Sequence, residues 1–115
     1  MRLKDAGLRL AALSDFPLSK KLEGWGLENL FEYQRSCEDI GYLKPNPEPF
    51  LDIAAYFGCT PREIVYVGNN YNYDIIGAKN SGLFAAHVTS KPVQGSQADF
   101  SFFDFRRLGD WVISL

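Results

Sequence analysis

The chain has 115 residues, 46% hydrophobic and 23% charged, with a formal net charge of −2, which suits one soluble globular domain or part of one. No basic patch supports nucleic acid as a main partner, and no apolar run approaches the roughly 20 residues of a membrane-crossing helix. Met1-Arg2-Leu3-Lys4-Asp5 lacks the apolar core of a secretory signal, and Cys37 and Cys59 fit neither a CxxC pair nor a zinc spacing, so both read as reduced thiols of a cytoplasmic protein.

Leu3 to Ala6 reads as the tail of a helix closed by Gly7, followed by a strand over Leu8–Leu13. Asp15 can cap the next helix with Pro17 in its first turn. Leu18, Leu22 and Trp25 fall on the buried face of that helix, and Gly24 and Gly26 end it. Tyr33–Ser36 is a short strand. Asn46-Pro47 opens the clearest helix, with a stripe of Phe50, Ile53, Ala54 and Phe57 and a stop at Gly58. Thr60-Pro61-Arg62-Glu63 has the reciprocal capping pattern and predicts a single turn.

Ile64–Val67 is β-branched and apolar on both faces, as expected of a central parallel strand. Gly68-Asn69-Asn70 leads into a helix from Tyr73 to Asn80, ended by Ser81-Gly82. Leu83–Val88 is the next strand, Lys91–Gln97 a surface loop, Phe100–Phe102 a short edge strand and Phe105–Ile113 a closing helix. His87, the only histidine, lies inside a strand and reads as structural.

Strands alternating with helices imply βαβ units and a parallel sheet. Ligands of such sheets sit outside the carboxyl ends of the strands. Three polar clusters fall there: Ser14-Asp15, Lys44, and Asn69 to Asp74.

These clusters carry a resemblance. Leu10-Ala11-Ala12-Leu13-Ser14-Asp15 resembles the second motif of haloacid dehalogenase-type (HAD) phosphatases, a hydrophobic strand ending in Ser or Thr. Lys44-Pro45-Asn46-Pro47-Glu48-Pro49-Phe50 resembles the third, and Ile64 to Asp74 the fourth, in which a strand and Gly precede an acidic pair. The motifs follow in order, 30 positions from Ser14 to Lys44 and 25 from Lys44 to Asn69.

The resemblance implies a three-layer Rossmann-like α/β fold and phosphate monoester hydrolysis through an aspartyl-phosphate. Ser14 and Asp15 would then hold phosphate. Lys44 would be the catalytic lysine, neutralising phosphate charge. Asn69 and Asp74 would belong to a Mg2+ site, weakened because the family usually has Asp where Asn69 stands. A phosphorylated small molecule is the implied partner.

One element of the resemblance is missing. The family's first motif, an Asp-x-Asp at the end of a central strand, supplies nucleophile, acid/base and metal ligand, and no such pattern occurs at a strand end here. Residues 1–115 therefore read as a single partial core domain without a cap, incomplete at its central strand and inactive alone. Without that strand, Leu8–Leu13 and Ile64–Val67 lose their shared neighbour. The two strands could pair directly, a separate N-terminal segment or a swapped strand in a homo-oligomer could fill the place, or the sheet could split. The competing function is a non-catalytic module binding a phosphate ligand or a protein. A receiver-type signalling domain lacks its acidic pair here, and a dinucleotide fold lacks Gly-x-Gly-x-x-Gly.

Overall fold

The computed structural model describes residues 8–14 and 31–115. β1 (Ala11–Ser14) and β2 (Tyr33–Ser36) form one parallel sheet. β3 (Val65–Gly68), β4 (Phe84–Val88) and β5 (Phe100–Phe102) form a second, also parallel, in the order β3-β4-β5. Four α-helices accompany them among the described residues: α1 (Cys37–Ile40), α2 (Pro47–Phe57), α3 (Ile76–Asn80) and α4 (Phe105–Ser114).

The local chemistry explains most of these elements. α2 begins with Pro47 in its first turn and ends where Gly58 takes φ 66°, a left-handed conformation that favours glycine. Phe50, Ile53 and Ala54 are buried, and Phe57 packs against the same core. Thr60 and Glu63 close their capping box over the 3-10 turn Pro61–Glu63. β2 and β5 occupy their predicted residues. β1, β3 and β4 begin later than their predicted strands, with β1 and β3 running on to Ser14 and Gly68.

Two features differ from the sequence reading. α1 is an added helix, capped by Ser36 and Asp39 in a reciprocal box. The helix expected from Tyr73 starts earlier, as a π-turn over Tyr71–Ile75 that runs into α3. The helix tail before Gly7 and the helix capped by Asp15 lie outside the described residues.

Two hydrophobic clusters place the layers. On one face of β3 and β4, Tyr66 and Ala85 pack with Phe50 and Ile53 of α2 and with Ile75 and Ala78. On the other, Ala86 packs with Phe102 and with Leu108 of α4, joined by Val65 and Trp111. Helices thus cover both faces of a parallel sheet. Tyr33 of β2 belongs to the first cluster, and Ala11 and Leu13 of β1 pack against it. One core therefore serves both sheets.

The sheet is nevertheless split. β1 is in one sheet and β3 in the other, with no ladder joining them. Of the three outcomes left open by the sequence, direct pairing of the two strands is not adopted among the described residues. The ladder of β3 shows the consequence. Phe84 N–H donates to Ile64 C=O (3.0 Å), in a register pairing Val65 with Phe84. Parallel alternation then turns the peptide groups of Ile64, Tyr66 and Gly68 toward β4 and those of Val65 and Val67 away from it. Among the described residues no strand pairs with that second edge. Val67, apolar and on a strand, is 38% exposed.

Amide hydrogen exchange should report this asymmetry. The Val65 and Val67 N–H groups are expected to exchange markedly faster than that of Tyr66, which is laddered to β4. Equal protection across the three would show that the edge is covered.

Candidate functional site

The third and fourth motif-like segments converge at the end of β3. Lys44 precedes α2 by three residues, and Asp74 lies in the π-turn before α3. The two segments meet through Gly77 of α3. A Cβ added there would lie 2.7 Å from the Phe50 ring and 3.1 Å from Pro45 Cα. The absence of a side chain lets α3 rest on the chain beside Lys44.

The outcome is a short ion pair. Lys44 Nζ donates to Asp74 Oδ1 at 2.6 Å and to the Tyr66 hydroxyl at 3.3 Å. The Lys44 side chain is 10% exposed and that of Asp74 6%. Asp74 Oδ2 accepts the Asn70 N–H at 3.0 Å. Both carboxylate oxygens are thus engaged.

Local backbone chemistry explains where Asp74 sits. Asn70 Oδ1 accepts the Tyr73 N–H at 2.9 Å, and its carbonyl accepts from both Asp74 and Ile75, the wide spacing of a π-turn. Gly68 is required by the same packing. A Cβ there would stand 2.6 Å from Asp74 Cγ and Oδ2, inside the carboxylate.

Two aromatic groups brace the loop. His87 is buried, and its Nε2 lies 3.0 Å from the Asn69 carbonyl oxygen. A carbonyl only accepts, so this nitrogen carries the proton. Tyr71 packs against the His87 ring at 5.7 Å, and its hydroxyl accepts the Gln97 N–H at 2.9 Å. The surface loop over residues 91–97 is thereby fastened beside the same rim. In this arrangement His87 holds the carbonyl of Asn69 at the end of β3.

Burial opposes charge on Lys44, but Tyr66 and Asp74 outweigh it and hold the ammonium above the ordinary lysine range. Burial also pushes the Tyr66 phenol up to about 12, with Lys44 pulling it down and Asp74 pushing it further up.

The sequence-derived candidates are therefore placed as follows. Lys44 and Asp74 are in direct contact. Asn69 is exposed on the loop after β3, its carbonyl held by His87. Ser14 ends β1, in register with Ser36, and Asp15 lies outside the described residues. Sequence reasoning missed Tyr66, Asn70 and Tyr71. Asn70 alone had a readable signal, an Asn three residues ahead of the N–H it caps.

Mg2+ demands near-octahedral oxygen coordination and is usually bound through one or two carboxylates. At this rim the described residues offer the amide of Asn69 and one carboxylate whose oxygens are already taken. No group of three or more His, Cys, Asp or Glu that could hold a metal occurs among the described residues. On their own, these residues do not fit the metal that the resemblance implied.

Comparison with known proteins gives a consistent picture. A family model for haloacid dehalogenase-like hydrolases matches residues 1–82. The chain is 36% identical over 92 residues to a glyceraldehyde 3-phosphate phosphatase of Methanothermobacter thermautotrophicus, covering 77% of this chain and 41% of that protein. It is 30% identical over 114 residues to a phosphoglycolate phosphatase of Haemophilus influenzae, covering 92% and 50%. Its fold matches the crystal structure of a HAD phosphatase from Thermococcus onnurineus with a TM-score of 0.89 at 27% identity, over 96% of this chain and 53% of the other. The chain spans about half the length of the curated relatives it matches.

Two outcomes follow from the buried pair. Lys44→Met leaves the Asp74 carboxylate without its cation and should cost about 3–5 kcal/mol of stability, read by urea denaturation. In alkali, Tyr66 and Lys44 both have folded pKa values above their ordinary ones, so their contribution is complete below about pH 10 and fades as pH rises through the folded values. Stability should therefore fall between about pH 10 and 12, and Tyr66→Phe should flatten that slope.

Proposed function

The chain belongs to the haloacid dehalogenase-like hydrolase family, and on that premise we propose that it supplies the phosphate-holding part of a phosphohydrolase site. The observation that carries this reading is the Lys44–Asp74 contact of 2.6 Å, which brings together two motif-like segments at one end of β3. Phosphoryl transfer depends on positioned charge more than on elaborate covalent machinery, and a lysine held rigidly beside a strand end meets that need. In this reading Lys44 directs its remaining N–H at a phosphoryl oxygen. Ser14, at the end of β1, and Asp15, which follows it in sequence, add to the phosphate site in this reading. The substrate is a small phosphorylated molecule, a class to which the names of the two relatives point.

The nucleophile belongs to a strand outside this sequence. The division between the two sheets, and the β3 edge that no strand among the described residues pairs with, support that part of the proposal. Such a strand would satisfy the Val65 and Val67 peptide groups and set its terminal carboxylates beside Lys44. An N-terminal partner segment is the natural donor; a strand swapped from a second copy would fill the place in the sheet but, lacking Asp-x-Asp, would bring no nucleophile. No step is assigned to Mg2+, because the described residues do not fit it.

A second reading has its own support. Asn69, neutral where the family usually carries Asp, and Asp74, spent on Lys44, both favour a non-catalytic module that binds a phosphate ligand.

The purified chain should show no turnover of p-nitrophenyl phosphate with Mg2+ present. Robust hydrolysis would overturn the assignment of the nucleophile to another segment. Regained turnover on adding an N-terminal segment bearing Asp-x-Asp favours the enzyme. Phosphate binding lost in Lys44→Ala, with no turnover gained, favours the module.

A further inference from the structure

The Lys44 ammonium has three N–H donors. One goes to Asp74 Oδ1 and one to the Tyr66 hydroxyl. With two donors fixed by buried acceptors, rotation about the Cε–Nζ bond is stopped and the third N–H has a single direction. Both acceptors are themselves immobile. Asp74 is held through Oδ2 by the Asn70 N–H and through its Cβ against Gly68. Tyr66 is 9% exposed, with its ring edge-on to Phe50 at 4.9 Å. A phenylalanine would fill the same volume in the core, so the hydroxyl is explained by Lys44 and not by packing.

The competing use of Asp74, as a ligand for a divalent cation, requires a free oxygen lone pair facing other oxygen ligands. Oδ1 is committed at 2.6 Å to an ammonium, and Oδ2 to a backbone N–H. A cation at Oδ1 would have to displace Lys44, itself a positive charge that would repel it. Charge counting agrees: Lys44 and Asp74 together are neutral, and Asn69 adds no charge.

We propose that Asp74 is the permanent counter-ion of Lys44 rather than a ligand for Mg2+, with Tyr66 as a second positioning residue, so that Lys44 meets an oxyanion through one directed N–H. The inference deepens the phosphate-site reading and rests on it only for the identity of the anion.

The test uses the full chain labelled with 15N. Mg2+ is added to about 10 mM while the Lys44 Nζ cross-peak and the amides of residues 68–75 are followed, since a dedicated divalent site of even modest affinity saturates near 1 mM or below. The expected result is a flat titration and an undisturbed Lys44 signal. A saturable shift of the Asn69 to Asp74 amides below about 1 mM, or loss of the Lys44 signal, would overturn the proposal. In Tyr66→Phe, the Lys44 N–H signal should broaden through faster exchange with water. An unchanged signal in a folded variant would remove Tyr66 from the assignment, and if the variant does not fold, the wild-type titration decides alone. A separate titration with inorganic phosphate reads the phosphate-site proposal. Phosphate binding with no Mg2+ response supports both, whereas no phosphate binding with no Mg2+ response removes the anion's identity and leaves the counter-ion assignment standing.

Discussion

α2 is where both sheets close on one another. On the side of β2, Asp52 accepts from the Tyr33 hydroxyl at 2.7 Å and from Arg35 at 3.1 Å. On the side of β3, Phe50 meets the Tyr66 ring and the bare Cα of Gly77. No backbone ladder joins β1 to β3, so the relative position of the sheets depends on side chains, and above all on this helix. Each aromatic contact of this kind adds about 0.5–1.5 kcal/mol beyond the area it buries. The Tyr33–Asp52 bond is partly buried and charge-assisted, stronger than a neutral one.

The chemistry at the rim is a by-product of that packing. Gly77 admits α3 against Pro45, and Lys44 is the residue before Pro45. The π-turn sets Asp74 shortly upstream of α3, so the same approach that packs Phe50 also brings carboxylate and ammonium together. The pair is poor evidence for stability in itself, because burying two charges costs much of what their attraction returns. Its value is geometric: it holds one cation at one place. The Arg35–Asp52 pair is far more exposed on its arginine side and contributes correspondingly less.

Much of this architecture is legible in the sequence because it follows from spacing and local chemistry. The 3.6-residue stripe of Phe50, Ile53 and Ala54, the Thr60–Glu63 box and the apolar runs at residues 64–67 and 83–88 each encode their element within a few residues. Lys44 and Asp74 were both named as site residues, and their neighbourhood follows from motif order. Their direct contact does not, since it depends on how closely Gly77 lets two helices approach. Tyr66 reads as one more apolar strand residue until its hydroxyl is found beside an ammonium 22 positions away. α1 escaped notice for a different reason: four residues give too little periodicity, although Ser36 and Asp39 spell its cap. The split sheet is one of the outcomes the sequence leaves open, because strand pairing is a long-range event that no local pattern decides.

An apolar strand edge that no other strand covers, as β3 presents among the described residues, is adhesive. Natural edge strands discourage copies of themselves from stacking by carrying lysine, proline or a bulge, and Val65 and Val67 supply none of these. As concentration rises, each molecule becomes a template for the next, while a net charge of −2 gives little mutual repulsion. A segment that occupied this edge would shield those two valine peptide groups from such stacking, whatever else it brought.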